Sequence, residues 1–307
     1  MSKGKATAED LPPPPVHSEA QTLGLRLAKI REHRIGVLWH TLDGSNKTLF
    51  LLHGAGGRAG QYRQQAKVFC DRMNVVAFDF LGHGISEKVE SAELYSAREH
   101  FETLKAVYQK YKTAINYIGA HCYGSIHMLH LLAWLKQQKR LHEVKKVIFI
   151  SSGADPPSIP SLALKMPNFL LEWLRPLARD SSNAQIFSPK APADLIQHEN
   201  AITSGNPMSM MKQIGQDILA GAWTHGIEAG VSVFNPTKGQ VSYLPEVLVL
   251  HGKLDKTVTP ESMRKLVAGL FSRRATYRVC EIEDAGHLVM LEASKQFNAI
   301  LATFLYH

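Results

Sequence analysis

No stretch of about 18 apolar residues occurs in this chain, so no segment reads as a bilayer-crossing helix. Cysteine is equally scarce: Cys70, Cys122 and Cys280 are the only three in 307 residues. They form neither a disulfide framework nor a metal-like spacing, and no metal or cofactor is expected. A reducing compartment is the simplest setting for them. The opening MSKGKATAEDLPPPPVHSEAQ has no apolar core of the signal-peptide kind, which gives a cytoplasmic location as the expectation. Its polar residues and its four prolines, Pro12 to Pro15, predict a flexible arm over residues 1–22. Zinc-finger spacing and aromatic-basic alternation are both missing, so no nucleic-acid partner is expected.

Hydrophobic residues make up 45% and charged residues 20%, an ordinary soluble balance with enough apolar material for a large core. The net charge is +8. That excess leaves a peripheral contact with an acidic membrane surface open. Its densest stretch, KQQKRLHEVKK from Lys136 to Lys146, closes a predicted helix. Cations favour that end of the helix dipole, so a solvated helix end accounts for it.

Apolar runs alternate with helix-like stretches. TLFLLHG (Thr48–Gly54), NVVAFDF (Asn74–Phe80), AINYIGA, KVIFISS (Lys146–Ser152) and EVLVLHG (Glu246–Gly252) read as buried strands. Leu94, Phe101, Leu104 and Val107 make one helical face. Such alternation predicts a mostly parallel α/β sheet covered on both sides, over residues 23–154 and 241–307. LRLAKIRE and RIGVLWH read as a leading hairpin on the sheet edge. The rhythm breaks over 155–240, which is proline-rich yet apolar and too long for a bare loop. A helical lid over the strand ends is the expectation, with Met208, Met210, Met211, Leu219 and Trp223 facing an apolar pocket.

The loops after the strands carry LLHGAGG, DFLGHGIS, AHCYG, HGKLDKTV and DAGHLVMLE, in that order. Together they resemble the α/β-hydrolase fold, whose nucleophile stands in a G-x-S-x-G turn from strand to helix. The matching residues are Ala120-His121-Cys122-Tyr123-Gly124, with cysteine where the family has serine. The family order of nucleophile, acid and base then implies Cys122, Asp255 and His287. The resemblance also implies an oxyanion hole from the backbone N–H groups of Ala55 and Tyr123. The positive end of the helix after Cys122 favours a thiolate. Cys70 and Cys280 read as packing residues, and His53, His83 and His251, each before a glycine, as loop-shaping residues rather than metal ligands. His127, His130 and Ser125 fall on the helix after the elbow, where packing is the default.

Within that fold, HGAGGRAGQYRQQ, LKAVYQKY, HGKLDKTVTPE and ENAITSGNPMSMMKQIGQDILAGAWTHG are similar to the branch of abhydrolase domain-containing proteins around the member numbered eight. The expected activity is hydrolysis of an acyl ester, thioester or lactone, including lipid ones, through a covalent acyl-enzyme. An acyltransferase with the same intermediate, a binding or regulatory homologue without turnover, and a Ser-to-Cys variant of a serine esterase or lipase stay open beside it.

Overall fold

The computed structural model describes residues 19, 21–235, 243–271 and 275–307. The expected arm therefore lies outside the described residues except for its last positions. One of these, Glu19, is held by ion pairs rather than free.

Eight strands form one sheet among the described residues. They are β1 (Arg26–Ile30), β2 (His33–His40), β3 (Lys47–Leu52), β4 (Asn74–Phe78), β5 (Ile115–His121), β6 (Val144–Ile150), β7 (Glu246–Gly252) and β8 (Tyr277–Ile282). The order across the sheet is β1-β2-β4-β3-β5-β6-β7-β8. β1 and β2 pair antiparallel as the expected edge hairpin, and β2 runs antiparallel to β4. All other neighbours are parallel.

The strands alternate at period two, and both faces are apolar. Phe50 and Leu52 of β3 join Val76 and Phe78 of β4 in one core, while Leu49, Leu51, Val75 and Ala77 join the other. The β3–β4 register explains the grouping, because Leu49 lies beside Val75 and Phe50 beside Val76. Burial on both faces is what forces the continuous apolar runs read in the sequence.

The helices are α1 (Arg63–Phe69), α2 (Ala97–Tyr111), α3 (Tyr123–Gln137), α4 (Ser161–Lys165), α5 (Asn168–Ile186), α6 (Ala193–Thr203), α7 (Met208–Leu219), α8 (Ala222–Phe234), α9 (Pro260–Leu270), α10 (Val289–Glu292) and α11 (Ser294–Tyr306). None is long and apolar enough to cross a membrane, among the described residues. α2 starts on Ser96, whose side chain caps the Glu99 amide, and α9 starts on Thr259, which caps Ser262. α4, α5, α6 and α7 each follow a proline, Pro160, Pro167, Pro192 and Pro207. The fixed φ of proline prepares each helix start, and so one segment can be both proline-rich and helical.

α8 closes the inserted stretch but packs in the layer beside the sheet. A Cβ on Gly226 would lie 2.6 Å from Ile126 Cβ, and one on Gly230 2.6 Å from a Leu129 methyl. These two glycines, one turn apart, let α8 lie directly on α3. The helices over the strand ends are thus α4 to α7, and residues 236–240, the end of the inserted stretch, lie outside the described residues.

Candidate active site

Strand β5 ends at His121 and α3 begins at Tyr123, leaving one residue for the turn. That residue, Cys122, has φ 47° and ψ −115°. A side chain costs of order 1–3 kcal/mol in such a conformation, and the surroundings hold it there. The Cys122 N–H donates to the Ile150 carbonyl, and its own carbonyl accepts from Ser125 N–H. Gly124 permits the sharpness of the turn: a Cβ there would stand 2.6 Å from the His53 carbonyl oxygen and 3.0 Å from that of Leu52. α3 directs its N-terminal end at the Cys122 position. Ser125, one turn on, is buried, donates to the Ala120 carbonyl and bonds the Ser152 hydroxyl.

Asp255 follows β7 and His287 follows β8. Asp255 Oδ1 accepts from the Thr257 and Val258 amides at 2.9 Å each, which fixes the carboxylate plane. Its Oδ2 accepts from His287 Nδ1 at 2.8 Å. His251, behind it, donates Nε2–H to the Val258 carbonyl and so braces the same turn. With Nδ1 committed to Asp255, His287 keeps its other nitrogen for the Cys122 sulfur, which lies close enough to act on its charge. Burial alone would depress the His287 pKa. The Asp255 carboxylate, the Cys122 sulfur and the hydrogen bond to Asp255 outweigh it and push the value up to about 10. The structure thus brings together Cys122, His287 and Asp255 from loops 32 to 165 residues apart (255 to 287 and 122 to 287).

The loop after β3 carries Ala55. His53 shapes it by donating Nδ1–H to the Gly54 carbonyl and accepting the Phe80 amide at Nε2. His83 accepts the Gly56 amide at Nε2. Burial holds both rings neutral, His53 at about 3 and His83 well below its ordinary value. Among the described residues, neither the Ala55 nor the Tyr123 amide has a backbone acceptor outside the regular elements.

A cavity of about 530 Å³ sits over the strand ends. Ala55, Gly56, His121, His287 and Leu288 contribute from the sheet side, and Leu171, Leu174, Ala178, Ile186, Met208 and Met211 from the inserted helices. Cys122 is 4% exposed and does not itself line the cavity. Of the expected pocket residues, Met208 and Met211 line it, whereas Leu219 and Trp223 do not. Leu219 is 57% exposed at the end of α7. Trp223 is buried in the layer beside the sheet and donates Nε1–H to the Gly153 and Ala154 carbonyls. Met210 faces the core instead. On α7 helical phase separates Met210 from Met211, since adjacent residues face different ways, whereas Trp223 stands on α8.

Two supporting groups were not singled out from the sequence. Arg58 is almost wholly buried in the loop after Ala55. Its Nε pairs with Glu19 at 2.5 Å and its Nη1 with Glu199 of α6 at 2.5 Å. Gln61 Nε2 also donates to Glu199. Burial would raise both carboxyl pKa values, but the guanidinium lowers them below the ordinary range. The other group is Glu292, whose Oε2 accepts from the amides of Ser188 and Gly286. It ties the end of α5 to the His287 loop, as does the His287 amide, which donates to the Ile186 carbonyl. An arginine placed between glycines in GGRAG is the trace that the first group leaves in the sequence.

Residues 49–300 match the alpha/beta hydrolase family. The mouse protein ABHD8 (Mus musculus) is 28% identical over 265 residues, 84% of this chain and 54% of that protein. The chain thus spans about half the length of the curated relatives it matches. A putative lipase from Acinetobacter baumannii AYE superposes with a TM-score of 0.69 at 19% identity, covering 94% of each chain. An esterase from Exiguobacterium antarcticum gives 0.67 at 17% identity, covering 92% of this chain and 98% of that one. The family match spans most of the sheet, the elbow and both later loops, and by it this chain belongs to the alpha/beta hydrolase family.

Proposed function

We propose that this chain hydrolyses an acyl ester, thioester or lactone through Cys122, His287 and Asp255. One observation carries the reading: a cysteine at a strained strand-to-helix turn stands beside a buried histidine whose Nδ1 is held by an aspartate. In the reaction, the Cys122 sulfur attacks the substrate carbonyl carbon as a thiolate and the C=O π electrons move to oxygen. The amides of Ala55 and Tyr123 are assigned to that oxyanion. As the tetrahedral adduct collapses, the imidazolium of His287 gives its proton to the departing alkoxide or thiolate. A thioester to Cys122 remains. His287, now neutral, takes a proton from water as the water oxygen attacks the thioester carbon. Collapse releases the carboxylic acid and restores the thiolate–imidazolium pair. Asp255 holds Nδ1–H throughout, so Nε2 is the nitrogen that gives and takes the transferred proton.

The apolar lining of the cavity by Leu171, Leu174, Met208 and Met211 supports an acyl chain as the bound group. A reading without turnover has an observation of its own, since Cys122 is 4% exposed and the reacting carbonyl has to enter past His121 and His287. The two separate in a hydrolysis assay on activated esters and thioesters from acetyl to octanoyl. The hydrolase reading expects turnover by the wild type that is lost in Cys122→Ala and His287→Ala. Binding of these compounds with no turnover by the wild type or by Cys122→Ser would favour the other reading.

A further inference from the structure

His121, the residue before the candidate nucleophile, is 3% exposed and yet lines the cavity. Its Nε2 lies 3.0 Å from the backbone carbonyl oxygen of His287. A carbonyl can only accept, so Nε2 carries the hydrogen. A neutral imidazole has one N–H, and the remaining nitrogen, Nδ1, is left with a bare lone pair. That lone pair has no partner among the described residues. Protonation to fill it is opposed by burial first and then by the neighbouring His287, whose ring centre is 4.5 Å away. What lies over it is Gly54, on the same loop as Ala55. A Cβ on Gly54 would come within 2.7 Å of Nδ1 and 3.2 Å of Cys122 Cβ. Any residue with a side chain at 54 would clash with Nδ1, which is itself buried; glycine leaves only backbone beside it, between the Ala55 loop and the candidate nucleophile.

A buried acceptor without a donor is costly, and a ligand that supplies the donor removes that cost. We propose that His121 Nδ1 is a substrate-binding position that accepts a hydrogen bond from an O–H or N–H beside the reacting carbonyl. The inference deepens the proposed reaction and rests on Cys122 being its nucleophile. It narrows the substrate class to esters, thioesters and lactones with such a donor, for example esters of N-acylamino acids, hydroxy-acyl esters, or esters of polyols. Simple alkyl esters present only acceptors there and leave Nδ1 unpaired. His121 acts on selection, and the proton transfers stay with His287.

The test needs no natural substrate. In N-hexyl-N-methyl iodoacetamide a methyl group replaces the amide hydrogen of N-hexyl iodoacetamide, and the His121 variants control for its bulk. Alkylation of Cys122 by each is followed by intact mass, mapped by peptide analysis, and normalised to the same reaction of glutathione. The expected wild-type preference for the N–H probe is about fivefold, one net hydrogen bond. In His121→Gln the side-chain amide can still donate to the His287 carbonyl, but the Nδ1 acceptor is gone, and the preference should fall to one. In His121→Asn an oxygen stands close to the Nδ1 position, and most of the preference should persist. A wild-type ratio near one overturns the proposal whether or not any variant folds. So does a ratio unchanged in a His121→Gln protein that melts like the wild type. Failure of the underlying reaction looks different: Cys122 then reacts with both probes at the glutathione rate, indifferent to His287→Ala. A Cys122 that neither probe alkylates counts against both.

Discussion

Replacing Arg58 with leucine should be among the most destabilising single changes in this protein. Its guanidinium meets Glu19 through Nε and Nη2 and Glu199 through Nη1 and Nη2, with contacts of 2.5 to 3.0 Å. The side chains of Glu19 and Glu199 are 8% and 3% exposed. Leucine fills part of the space but leaves two buried carboxylates facing each other. Removing one partner of a buried pair costs about 3–5 kcal/mol. Arg63 lies 3.3 Å from Glu199 and 3.6 Å from Glu19, and its partial exposure lets it compensate only in part. A net loss of about 3 kcal/mol is expected, or roughly 5 °C in Tm for a chain of 307 residues. The pH dependence gives a sharper check. Both carboxyl pKa values are lowered in the folded protein, so the clamp's stabilisation is present above the unfolded value near 4.5. It is lost as pH falls through the lower folded values. In the leucine variant the unpaired carboxylates are instead pushed upward, so protonation relieves it. The wild-type advantage in thermal or urea unfolding should therefore be large at pH 7.5 and shrink below about pH 5. A variant within 2 °C of the wild type at pH 7.5, or a gap that widens with acid, would refute this account of the clamp.

Acyl chains from acetyl to octanoyl should raise kcat/KM in steps, at about 0.8 kcal/mol for each methylene buried against Met208 and Met211; Met211→Ala should flatten the series and Leu219→Ala should leave it unchanged. Trp223→Phe should cost about 1–3 kcal/mol in urea unfolding without altering chain-length selectivity, because its indole N–H satisfies the Gly153 and Ala154 carbonyls outside the cavity. Glu292→Ala removes the acceptor shared by the Ser188 and Gly286 amides. Turnover should fall more than stability does, and kcat matching the wild type with a lowered Tm would show that Glu292 only supports the fold.

The sheet could be read from the sequence because its strands are buried on both faces and so appear as continuous apolar runs, as in Asn74–Phe78. The elbow was legible for a similar reason. A one-residue turn admits few residue types around it, and Gly124 is one that backbone contacts at 2.6 and 3.0 Å enforce. The inserted helices were expected, but which residues face the cavity was not decided by their apolar character. Leu219 and Met211 belong to one helix, yet only Met211 reaches the cavity, since helical phase depends on how α7 seats against its neighbours. The Arg58 clamp was least legible, because its partners lie 39 and 141 residues away and become neighbours only in the folded chain. His121 was visible in the elbow pentapeptide. Its role depends on a carbonyl 166 residues later, which decides which ring nitrogen holds the hydrogen.

The most direct test of the account is single-turnover acylation with an octanoyl thioester, followed by intact mass and peptide mapping on the wild type and on His287→Ala. A transient octanoyl adduct on Cys122 is predicted, forming at least ~10²-fold more slowly without His287. An adduct on another residue, or one on Cys122 that forms equally fast in both proteins, would contradict it.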